Sequence, residues 1–248
     1  MNNKAFIPFV TCGDPDLATT KQIVIEMEKA GADLIELGIP FSDPTAEGPV
    51  IQAANVRALS KGVTTDDIFG MIEELKGIVT VPLVFMTYAN VVFSYGIERF
   101  VSRSAECGMR GIILPDVPFE EKEEFDSVCA RYGIDFISLI APTSKERIEM
   151  IASQAKGFVY CVSSLGVTGV RKEITTDIGD MVRMVKKVND IPCMVGFGIS
   201  TPKQAAEIAK DCDGVIVGSA IVKLCAEHGK DSPKYIGEYV KSMKAALE

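Results

Sequence analysis

Short apolar runs alternate along the chain with longer stretches in which apolar residues recur every third or fourth position. The first kind reads as buried strand, the second as amphipathic helix. Strands are expected at residues 5–10, 33–37, 81–86, 111–114, 134–140, 158–162, 192–195 and 215–217. Helices are expected at 17–30, 50–59, 65–76, 96–107, from Pro118, from 144 to 155, near 176–188, at 202–210, from Ser219 and at 232–246. Gly13, Asp14 and Pro15 make the first turn, and Gly31 and Gly108 stop helices. Pro118 followed by Glu120 and Glu121 suits a helix start, where carboxylates meet the positive end of the helix dipole. Ser144 suits an N-cap, although Arg147 three residues on leaves the capping box incomplete.

Eight strands, each followed by a helix, read as a parallel sheet with right-handed crossovers. Eight such units in 248 residues favour a closed (β/α)₈ TIM barrel, of the α/β class, over an open doubly wound sheet. No linker or low-complexity stretch breaks the series, so residues 1–248 are expected to form one barrel domain. Composition narrows the partners. Hydrophobic residues make up 47% and charged residues 24%, an ordinary globular profile. A net charge of -8 without any basic run argues against nucleic acid. No apolar segment approaches the roughly 18 residues that span a bilayer, and residues 1–4 are too short and polar for a signal peptide. Seven cysteines, an odd number without a C-x-x-C pair, suit reduced thiols in the cytoplasm. The sole histidine, His228, lies in a polar segment and reads as a solvated helix end, so a zinc site is not expected.

In a barrel of this kind chemistry belongs at the C-terminal ends of the strands. The stretch from Leu34 to Gln52 stands out there. It sets Glu36 inside an apolar strand, then a loop with prolines at 40, 44 and 49 and polar Ser42, Asp43, Thr45 and Glu47. A strand glutamate is costly unless paired, protonated or used. Gly196 and Gly198 after the seventh strand, Gly218 and Ser219 after the eighth, and Gly166 and Gly169 after the sixth offer backbone N–H groups for phosphate. No strand end carries a lysine for a Schiff base, one histidine cannot build a metal-dependent aldolase, and no G-x-G-x-x-G follows the first strand. The remaining acid–base groups are Asp14, Glu36, Asp43, Glu47 and Asp116, with Tyr88 and Tyr160 as phenols, which points to cofactor-free proton transfer. Phe9, Met86, Ile113, Tyr160 and Phe197 fall near strand ends, either as a slot for a flat apolar group or as ordinary barrel layers.

Taken together, FIPFVTCGDPD, ELGIPFSDPTAEGPVIQ, MTYANVVFSYG, LPDVPFEE, SSLGVTG, VGFGIS and VGSAIVK resemble the tryptophan synthase alpha subunit family through nearly the whole chain. The resemblance implies a carbon–carbon lyase of tryptophan biosynthesis, which cleaves indole-3-glycerol phosphate to indole and glyceraldehyde 3-phosphate. By the same matching Glu36 handles proton transfer at indole C3, and Glu47 accepts the indole N–H. Phe9, Met86, Ile113, Tyr160 and Phe197 line the indole slot, and Thr168 packs near Glu36 and Asp43 when a lid at 164–172 closes. Gly169, Gly198, Gly218 and Ser219 bind phosphate. A beta subunit in an α₂β₂ complex is the implied partner, facing residues 40–49 and 90–95, and pyridoxal phosphate belongs to that partner alone. The chain departs from the family pattern in carrying Glu47 for the usual aspartate, and Ser164 and Leu165 before the GVTG motif. Only residues 1–4 precede the first strand, so the short helix that usually covers the barrel's bottom is expected to be missing or very short. Two rivals are another sugar-phosphate-processing barrel enzyme, and a weakly active subunit that mainly activates its partner.

Overall fold

Nine strands form one parallel sheet in a computed structural model that describes residues 4–162, 178–196 and 198–248. In chain order they are β1 (Ala5–Thr11), β2 (Ile35–Gly38), β3 (Leu83–Met86), β4 (Gly111–Ile113), β5 (Asp135–Phe136), β6 (Ser138–Ile140), β7 (Val159–Val162), β8 (Cys193–Gly196) and β9 (Gly214–Val217). Their order across the sheet is β5-β4-β3-β2-β1-β9-β8-β7-β6. The two ends, β5 and β6, are consecutive pieces of the fifth expected strand with Ile137 alone between them. β5 pairs with β4 and β6 with β7, so this one run of chain closes the barrel.

Alternation along each strand sorts the core into two layers. Ile7, Val84, Ile113, Tyr160, Met194 and Ile216 fill the barrel. Phe6, Leu37, Phe85, Ile112, Cys161 and Val195 turn outward and join the larger cluster with the helices. Burial on both faces is why these strands read as unbroken apolar runs.

The helices follow the expected series closely, from Leu17–Lys29 to Ser232–Ala245. One was not anticipated, Ala89–Tyr95, separated from Ile97–Glu106 by Gly96 at φ 92°. Seven residues rich in valine and aromatics carry little helix signal of their own. Its start is held from elsewhere in the chain, because Asp116 accepts a hydrogen bond from the Ala89 N–H at 3.1 Å. The segment after Pro118 also differs, with a 3₁₀ turn, Phe119–Glu121, before the helix Glu123–Tyr132. Ser144 does cap its helix, accepting from the Arg147 N–H at 3.3 Å.

Polar ties pin the end of the barrel where strands begin. Lys244 of the last helix donates to Asp33 at 2.7 Å and to the Lys4 carbonyl at 3.1 Å. Asp33 in turn accepts from the Phe6 N–H at 2.7 Å. At the opposite end Asp14, 1% exposed, is clamped by Arg57 through two hydrogen bonds of 2.7 Å. Arg57→Met would strand a buried carboxylate. It is expected to cost about 2–3 kcal/mol, discounted because Arg57 is partly exposed, and urea denaturation midpoints would measure it.

Candidate active site

Glu36 sits on β2, between Phe9 of β1 and Val84 of β3 in the sheet register. Those neighbours point into the barrel or its mouth, and so does the carboxylate. It is 1% exposed, and among the described residues its Oε2 has no hydrogen-bond partner. Burial pushes its pKa up to about 8, with the nearby Glu47 charge adding to the rise. A carboxyl in this state holds its proton at neutral pH and can give it up during reaction.

Glu47 lies in the loop after β2 but does not face solvent. Residue 47 is 8% exposed, and its Oε2 accepts from the Asn55 amide at 2.8 Å. Its pKa is raised, chiefly by burial, while hydrogen bonds from Asn55 and Tyr88 pull it back. This carboxylate is walled in and depends on its donors. The walls are local. Gly48 and Pro49 start the helix Pro49–Leu59, which carries Asn55 on its buried face, and Gln52 donates back to the Glu47 carbonyl at 2.7 Å. Tyr88 accepts from the Ala46 N–H at 3.0 Å and fixes the loop from the other side.

The other expected acid–base groups separate from this pair. Asp14 is committed to Arg57, Asp116 caps the Ala89–Tyr95 helix, and Asp43 is exposed beside Ser42. Tyr160 belongs with Glu36, since burial and the Glu36 charge together hold its phenol well above the ordinary range. Sequence reasoning missed Asn55. Its only signal was an amide at a position where the helix otherwise turns isoleucine and alanine inward.

Phe9, Ile113 and Tyr160 are 4%, 0% and 5% exposed, and Met86 is half-buried where the Phe9 cluster meets the barrel interior. Met86 joins the four into one apolar wall, next to Glu36 at Phe9 and Tyr160, with Ile113 a full member of the core. Two glycines make room for it. A Cβ on Gly38 would lie 2.5 Å from the Phe9 ring, and one on Gly196 would lie 2.5 Å from the Tyr160 hydroxyl oxygen. Gly196→Ala is expected to displace Tyr160 and cost about 1–3 kcal/mol, read as a lowered unfolding midpoint.

The two glycine turns after β8 and β9 are not equivalent. Gly198 has a left-handed φ of 83°. Beyond it, Thr201 and Gln204 cap the helix Pro202–Ile208 with the chain's own side chains. After β9 the helix Ser219–His228 starts at Gly218 with no side-chain cap among the described residues, so its first N–H groups suit an anion. Gly218 lies against Phe9, which brings this helix start next to the apolar wall. Thr168, Gly169, Phe197 and the lid at 164–172 lie outside the described residues. Among the described residues no group of three or more His, Cys, Asp or Glu side chains could hold a metal ion.

A family model described as tryptophan synthase alpha chain matches residues 1–247. The chain belongs to that family. Curated relatives agree along its length. The tryptophan synthase alpha chain of Lacticaseibacillus casei is 46% identical over 247 residues, covering 100% of this chain and 93% of its own. That of Thermoanaerobacter sp. (strain X514) is 47% identical over 246 residues, covering 98% and 94%. Among solved structures, tryptophan synthase subunit alpha from Legionella pneumophila superposes with a TM-score of 0.89 at 38% identity, over 98% of this chain and 92% of that one. A chain of the tryptophan synthase α₂β₂ complex from Pyrococcus furiosus does so with 0.89 at 33% identity, over 98% and 99%. As a tryptophan synthase alpha chain the protein is a carbon–carbon lyase, and the family matches across the fold and not at isolated motifs.

Proposed function

We propose that the chain, as one barrel domain, cleaves indole-3-glycerol phosphate to indole and glyceraldehyde 3-phosphate with its own side chains. The observation that carries this is Glu36, a carboxyl buried inside the barrel, its pKa pushed up to about 8, with one oxygen that has no hydrogen-bond partner among the described residues. Retro-aldol cleavage needs a proton delivered to indole C3 and one removed from the glycerol hydroxyl next to it. The carbon–carbon electrons then return to the ring and the hydroxyl carbon becomes the aldehyde. A protonated Glu36 supplies the first proton, and the resulting carboxylate serves the second transfer. Glu47 accepts the indole N–H and offsets the positive charge that grows on the ring, held in place by Asn55. Phe9, Met86, Ile113 and Tyr160, with Phe197 and Thr168, flank the indole, and the open helix start at Gly218 and Ser219, with Gly198 and Gly169, takes the phosphate.

Glu47→Ala is expected to lower kcat about 10- to 100-fold with a smaller change in KM, because the lost interaction strengthens as charge develops. Steady-state indole release reads both constants.

The partner in this reading is a tryptophan synthase beta subunit in an α₂β₂ assembly. Residues 40–49 and 90–95 would face it, and a groove of about 410 Å³ joins the two segments, with Pro40, Phe41, Asn90 and Tyr95 among its walls. No helix among the described residues is long and apolar enough to cross a membrane. All seven cysteines are buried and unpaired, which suits work in the cytoplasm. The experiment is indole release from indole-3-glycerol phosphate by the purified chain, with and without a beta subunit. Turnover that the partner stimulates supports reaction and complex together. Turnover only of another sugar phosphate would replace the substrate, and no turnover in either state would remove the catalytic reading.

A further inference from the structure

Outside this site, the barrel wall opens between β4 and β6. The Ile137 N–H still donates to the Ile112 carbonyl at 2.9 Å, the last bond joining the fifth strand to β4. Continuing that register would send the Leu139 N–H to the Leu114 carbonyl. That carbonyl instead accepts from Val117 at 3.3 Å, and the strands part. A cavity of about 160 Å³ fills the seam, walled by Leu114, Val117, Phe136, Leu139 and Ile151.

Lys122 also lines it. This lysine is 7% exposed, yet its ammonium has no hydrogen bond among the described residues. It forms an ion pair with one oxygen of Asp126 at 3.6 Å, beyond hydrogen-bond distance, while the other oxygen accepts from Lys156 at 2.8 Å. The Phe119 ring lies 4.9 Å from the nitrogen and adds only a weak cation–π attraction. Arg147, the second cation of the lining, is tied to Glu120 by bonds of 2.7 and 3.1 Å. A largely buried lysine, ion-paired at 3.6 Å and lining an apolar hollow, matches an anion that carries an apolar body.

We propose that this seam is a binding site for a small organic carboxylate, its charge on Lys122 and its apolar part between β4 and β6. A cavity of this size takes a body of about one aromatic ring, since an engineered apolar cavity of similar volume holds benzene. Inorganic phosphate fits it poorly, because it would leave the apolar walls unused.

Benzoate is the probe, titrated by calorimetry into the full chain, with benzyl alcohol as the uncharged ring. Two variants separate charge from space: Lys122→Met removes the ammonium, and Ser138→Leu fills the cavity that Ser138 lines. Saturable benzoate binding is expected, weakened at least tenfold by either substitution, with benzyl alcohol at least tenfold weaker and indole release unchanged. If Lys122→Met does not fold, Ser138→Leu still decides. Absence of saturable binding, or binding that survives the substitutions, overturns the site. Survival with loss of indole release on benzoate addition would place benzoate in the catalytic slot instead.

Discussion

Glu36→Gln is expected to give a folded barrel that releases indole about 10²- to 10⁴-fold more slowly, the usual worth of a positioned acid–base group. The amide has nearly the shape of the carboxyl and can occupy the same place on β2 without a cavity. What it cannot do is exchange a proton near neutral pH. Indole formation, followed against retained circular dichroism, checks the prediction, and near-normal turnover would reassign the role. A pH profile adds a second reading. The reactive form for C3 protonation is the neutral acid, and in the free protein the carboxyl titrates at about 8. The alkaline limb of kcat/KM should therefore fall as pH rises through about 8, since kcat/KM reports the free enzyme. Glu47→Gln should lower this limb, because the Glu47 charge adds to the rise after burial.

The second large effect is on stability. Burial raises the folded pKa of Glu36 from 4.5 to about 8, so between these values the folded chain holds a proton that the unfolded chain has lost. Stability falls with pH wherever the folded state binds more protons. The penalty begins near pH 4.5, grows to about pH 8 and is constant above that. Its full size is on the order of 3–5 kcal/mol by the usual conversion of pKa shifts to free energy. Glu36→Gln removes it. The variant should match the parent chain near pH 4.5–5 and exceed it by up to that amount near pH 8, in paired urea titrations across the range. A difference independent of pH would mean that the carboxyl is not held neutral in the fold. The same residue would then be both the main catalytic group and a local weak point, as expected where a site is built for chemistry and not for stability.

The barrel itself was legible because its strands are buried on both faces and its helices on one, which leaves two distinct spacings in the sequence. The breaks in that legibility have specific causes. Residues 134–140 read as one strand, yet they split at Ile137 because the segment must serve two neighbours, β4 and β7, at the closure of the barrel. Ala89–Tyr95 is helical because Asp116, 27 residues away in sequence, accepts from its first N–H. The 3₁₀ turn at Phe119–Glu121 takes up the proline and the first glutamates that otherwise read as the start of a helix.

The site divides along the same line. By itself the sequence determined that a glutamate stands in an apolar strand, that a second follows in a proline-bound loop, and that glycines end the last strands. Residue type and order alone fix those facts, and the family and the reaction class came from the resemblance that longer motifs along the chain carry. Only the tertiary structure decided which carboxylates remain available. Asp14 and Asp116 stood with Glu36 among the acid–base groups expected near strand ends, but one is clamped by Arg57 and the other caps a helix. It also decided that Glu47 is buried against Asn55 and Tyr88, and that the helix after β9 stays uncapped while the one after β8 caps itself. The physical reason is common to all three. Charge state and hydrogen-bonding capacity depend on what the fold brings within about 3 Å, and such neighbours come from segments far apart in the chain.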